Sequence, residues 1–195
     1  MKSLSPLIKG SIVALFCSIF PCAFATTEVA GVTLESPIKI LHEKTTLELK
    51  LNGAGVRSKF FIDLYVGSLY VTHISADTAD ILTQDNVAIR LNITSEMITS
   101  EKMRDAINEG FDNATAGESS AIKPQIDSFM ALFSDEIKEG DQFTFVANKA
   151  TGITAYKNGV AQATIEGEVF RQALLNIWLG NKPAQKSLKQ AMLGK

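Results

Sequence analysis

The chain has 195 residues, 46% of them hydrophobic and 21% charged, with a formal net charge of −2. That length and apolar content suffice for one packed core without help from disulfides or metals. A mildly acidic chain with no block of Lys or Arg has no electrostatic reason to seek nucleic acid or anionic lipid.

The N-terminal segment reads as a processing signal. Lys2 and Lys9 charge its start, an apolar run covers 11–25, and Ala23-Phe24-Ala25 supplies the small-x-small pattern of a cleavage site. The run is short for a membrane span and no second one follows, so an uncleaved anchor is the weaker reading. Cys17 and Cys22 leave with this segment, and neither follows the small residue that lipid attachment needs. The expectation is therefore a signal peptide at 1–25, cut after Ala25, and one domain at 26–195, exported to a bacterial periplasm without stable membrane insertion. The exported part then holds itself together without cysteine.

Within the domain, 29–41 and 45–51 read as short strands, clearest in the alternation of Leu47, Leu49 and Leu51. Gly53 and Gly55 are expected to break that pattern. Residues 57–72 are rich in aromatic and β-branched side chains, as strands require, and 87–93 alternates Val87, Ile89, Leu91 and Ile93. A short helix over 76–82 and longer ones over 99–113 and 121–134 follow from apolar positions spaced by three and four. Strands at 142–147, 153–156 and 160–165 come next, with Asn158-Gly159 as a type I′ hairpin signal. A helix at 167–179 places Val169, Phe170, Ala173, Leu174, Ile177 and Trp178 on one broad face. Gly180 at the C′ position and Pro183 end it, and a last helix covers 184–193. Strands, helices, strands and helices without regular βαβ alternation predict an α+β fold.

Two stretches carry further information: LNGAGVRSKFFIDLYVGSLYV at 51–71 and ALLNIWLGNKPAQKSLKQAMLG at 173–194. Their G-x-G-x-R start, their tyrosine-rich strand ending in L-Y-V, and their W-L-G-x-x-P helix break resemble the chalcone isomerase-like family. The resemblance spans most of the chain after the N-terminal segment. That family contains plant flavonoid-cyclising enzymes, plant fatty-acid-binding proteins and bacterial secreted members. It implies a large antiparallel sheet covered on one face by a layer of helices.

The resemblance also implies roles. Arg57 matches the arginine that stabilises a phenolate in the cyclising enzymes and holds a lipid carboxylate in the fatty-acid binders. Its planar fork of donors suits either anion; the plainer reading is a pair with Asp63 or Glu48. Tyr65 stands where the enzymes carry threonine and the fatty-acid binders carry tyrosine. On the helix at 99–113, Glu101 falls at the enzymes' tyrosine and Asn108 at their asparagine, and Ile177 replaces a further hydroxyl residue. With these groups largely unmatched, no catalytic residue is assigned. Arg57, Tyr65 and Asn108 are expected to bind a fatty acid or similar amphipathic small molecule. Two readings stay beside it: an intramolecular lyase or isomerase for a phenolic or unsaturated substrate, and an envelope interaction protein without a ligand.

Geometry sets a condition on this site. Arg57 and Tyr65 would lie roughly 27 Å apart on one straight strand. Sharing a ligand requires a reversal between Ser58 and Ile62, where the sequence offers neither glycine nor asparagine. No cofactor or metal is expected, because His42 and His73 are isolated and read as solvated surface histidines. Phe129 and Phe133 read as packed core rather than pocket wall.

Overall fold

The computed structural model describes residues 25–42 and 44–195. The processing segment expected at 1–25 lies outside them apart from Ala25, and so do Cys17 and Cys22. Strands β1 (Ala25–Val29) and β2 (Val32–Ser36) form a separate antiparallel pair. The seven other strands form one antiparallel sheet in chain order. They are β3 (Ile38–His42), β4 (Thr45–Lys59), β5 (Ile62–Val71), β6 (Asn86–Ile93), β7 (Gln142–Asn148), β8 (Gly152–Lys157) and β9 (Val160–Ile165). Helix α1 (Thr78–Thr83) links β5 to β6, and α2 (Ser100–Ala114) and α3 (Lys123–Met130) link β6 to β7. Helices α4 (Glu168–Leu179) and α5 (Lys186–Met192) close the chain.

The period-two pattern decides which face is which. Leu69 and Val71, Val87, Ile89 and Leu91, and Phe143 and Phe145 are buried in one core with α2, α3 and α4. The intervening Tyr70, Ala88 and Val146 pack in a second cluster on the far face, with Ile38, Ile40 and Leu49. That second cluster exists because the sheet curls. Tyr156 of β8 donates from its hydroxyl to the Leu41 carbonyl of β3 at 3.0 Å. The curl also overturns the expectation for His42, which is buried, 3.4 Å from Thr151 Oγ1. His73 is exposed as expected, 3.3 Å from Asp80.

Several expectations change at glycine and proline. Gly53 and Gly55 do not break the strand but lie within β4. With Gly67 of β5 they form a shallow floor for α5. A Cβ at Gly53 would stand 2.2 Å from the Ala191 carbonyl oxygen, and one at Gly55 would stand 2.7 Å from Ala191 Cβ. Gly180 adopts φ −73°, so it is not a left-handed C′ residue. It is small because a Cβ would stand 2.6 Å from the Asn176 carbonyl. The helix expected over 121–134 is α3 flanked by 3-10 turns at Ser119–Ile122 and Ala131–Phe133. Pro124 starts a fresh helix there, since its missing N–H is harmless only in a first turn. Val169 faces solvent instead of the core. Arg171 of the same helix is fully buried, donating to the Glu168 carboxylate and the Leu82 carbonyl.

Because α5 meets backbone at Gly53, a side chain there has no room to rotate away. Gly53→Ala is expected to lower unfolding free energy by about 1–3 kcal/mol, read as a shift of the urea midpoint.

Candidate ligand-binding site

The reversal that the site needs is present. Strand β4 ends at Lys59, paired with Ile62, and the two-residue turn between them is Phe60-Phe61, with φ values of 50° and 65°. Two positive φ angles are the mark of a type I′ turn, normally built from Asn and Gly. Asn158-Gly159 makes the same turn with φ values of 52° and 79°. Left-handed geometry costs a residue with a Cβ about 1–2 kcal/mol, which is why sequence rules gave no turn signal at Phe60-Phe61.

The hairpin puts Arg57 directly opposite Tyr65 in register, next to an irregularity between Arg57 and Ser58. Directly paired residues share a face, with Cβ atoms about 5 Å apart. Both line a cavity of about 470 Å³ between β5, β6, α2 and the end of α4. Leu64, Leu91, Met103, Ile107, Ile177 and Trp178 make its walls. The exposed Lys59, Phe60, Ile62, Met97 and Lys102 line its outer part, and Ile98 beside Met97 is buried. That volume lies within the range of small-molecule sites.

Arg57 is held by neutral partners. Its Nη1 donates to the Ser58 carbonyl and to Gln185 Oε1, both at 2.9 Å. Gln185 also accepts from the Ser58 N–H at 3.0 Å and donates to the Val56 carbonyl at 3.2 Å. Neither acid considered from the sequence pairs with Arg57. Asp63 accepts from Ser58 Oγ, and Glu48 lies 3.8 Å from Lys39. Among the described residues no carboxylate forms an ion pair with Arg57, so its charge is not neutralised.

Tyr65 is 8% exposed, and its oxygen accepts from the Trp178 indole N–H at 3.1 Å. Burial pushes its phenol pKa up, while the Trp178 hydrogen bond and the Arg57 charge pull the other way. The net direction is upward, so the hydroxyl keeps its proton at neutral pH. With one lone pair occupied by Trp178, that proton is placed to donate. The pair thus offers a cation and a neutral donor at one end of an apolar chamber, an arrangement suited to an anionic head group.

Asn108 does not belong to this site. It lies on the exposed side of α2 and outside the cavity lining, because α2 turns Met103, Ile107 and Gly110 inward instead. Glu101 is exposed and outside the lining too. Phe129 and Phe133 are fully buried in an aromatic cluster, with Phe129 5.1 Å from Phe145 between ring centroids. Sequence reasoning missed Gln185 and the role of Trp178; the single tryptophan of the chain was the available signal. Among the described residues no group of three His, Cys, Asp or Glu could hold a metal ion.

A raised phenol pKa contributes stability below about pH 10 that is lost as pH climbs, because the unfolded chain then releases the proton more readily. Tyr65→Phe is expected to reduce the fall of stability above that pH in alkaline unfolding curves.

No curated protein matches the chain. Among solved structures, a fatty-acid binding protein of Arabidopsis thaliana superposes with a TM-score of 0.58 at 17% identity, covering 80% of this chain and 96% of the other. The family model described as chalcone isomerase-like matches residues 26–194, so the chain belongs to the chalcone isomerase-like family.

Proposed function

We propose that the protein is a non-catalytic binder of a fatty acid or similar amphipathic anion. Arg57 and the Tyr65 hydroxyl would take the head group and the apolar chamber the tail. The observation that carries this reading is the unneutralised Arg57 guanidinium beside a cavity of about 470 Å³. Export to the periplasm through cleavage after Ala25 belongs to the same proposal and rests on the N-terminal sequence pattern. The solved fatty-acid binding protein with this fold adds support for the ligand class.

The energetics divide unevenly. A hydrogen bond to a charged group contributes about 1.5–3 kcal/mol, whereas each buried CH₂ contributes about 0.8 kcal/mol. Long chains should therefore bind much better than short ones with the same head. Arg57→Ala is expected to weaken binding of a long-chain fatty acid by about 10–100-fold, measured by displacement of a fluorescent fatty acid. Mass spectrometry of gently purified wild type should reveal co-purified lipid. Equal affinity in wild type and variant would remove Arg57 from the site, and a preference for neutral lipids would reject the anionic head group.

A further inference from the structure

The turn between β4 and β5 is an unusual place for two phenylalanines. Phe60 is 83% exposed and Phe61 fully exposed, in left-handed backbone that favours other residue types. The fold gains no packing from rings that stand in solvent. Phe60 also lines the outer part of the cavity, together with Ile62 and Met97, which are themselves partly exposed. The apolar tip is therefore continuous with the way into the chamber.

We propose that Phe60 and Phe61 insert into the surface of a lipid bilayer, so that the cavity loads and releases its ligand there. The docking step deepens the ligand reading above, on which its purpose rests. Size favours a bilayer over a protein partner. Two aromatic rings bury about 300–500 Å², well short of the roughly 800 Å² per partner of a stable protein interface. A small wedge of that kind suits the headgroup boundary, where exposed aromatic rings partition. Charge contributes less. Lys59 lies beside the tip, its Nζ 5.8 Å from the Phe60 ring centroid, and Lys102 also lines the cavity, but Asp105 and Glu109 line it too. A surface so nearly balanced should bind zwitterionic and anionic membranes alike.

The test uses the chain from Thr26 onward, whose sheets, helices and cores lie within the described residues. Its variant is Phe60→Asn with Phe61→Gly, which gives the turn the residues its φ angles favour and so preserves the hairpin. Co-sedimentation is measured with vesicles of phosphatidylcholine alone and of phosphatidylcholine mixed with phosphatidylglycerol. Binding of a fluorescent fatty acid is measured separately in vesicle-free buffer. Wild type should partition to both vesicles at least about tenfold more strongly than the variant, and Phe61→Gly alone, at a residue outside the cavity lining, should bind the fatty acid as wild type does. Equal partitioning, absence of partitioning, or attachment to anionic vesicles alone would overturn the proposal. So would self-association without vesicles that the variant abolishes, since it would make the tip a contact between copies. Partitioning by a wild type that fails to bind the fatty acid would support docking and reject the ligand reading.

Discussion

The contact on which the site depends is the seating of α5 against bare backbone. Gly53, Gly55 and Gly67 lie on one face of the β4–β5 pair, and α5 approaches so closely that side chains at Gly53 or Gly55 would collide with Ala191. Close seating fixes the start of the helix as well as its middle. Gln185 precedes α5, and its amide bonds to Val56, Arg57 and Ser58 together. A helix raised by one side-chain layer would carry that amide out of reach. The orientation of Arg57 is thus decided by three residues whose contribution is to have no side chain.

A second constraint acts from the other side. Trp178, near the end of α4, reaches Tyr65 on β5 with its indole N–H, and both side chains are buried. The polar end of the chamber is held from two helices, while its walls are ordinary core residues. A buried phenol needs a partner; here the partner occupies an acceptor site and leaves the donor unspent.

Much of this is legible in the amino-acid sequence. Strand β9 and the turn at Asn158-Gly159 fell where alternation and turn chemistry put them, and β6 showed its inner face as Val87, Ile89, Leu91 and Ile93. Arg57 and Tyr65 were found through the family resemblance, and the fold pairs them across strands. The failures have physical causes. Glycines inside β4 looked like breaks because close approach by α5 is a long-range fact. The Phe60-Phe61 turn was invisible because its residues oppose their own backbone preference. His42 is buried by a curl that brings β3 to β8, strands separated by most of the sheet. Asn108 was placed by aligning a motif, and helical phase turned it outward.

The chemistry of position 185 has a further implication. Glutamine and glutamate differ by an amide nitrogen against an oxygen, and they fill nearly the same space. The carboxylate version would meet the guanidinium with an internal counterion and would turn repulsion against the Val56 carbonyl, where an N–H now points. Such a chain would keep its sheet and its chamber yet carry its own competitor for the cation. An uncharged amide orients the arginine and leaves its charge without an internal counterion.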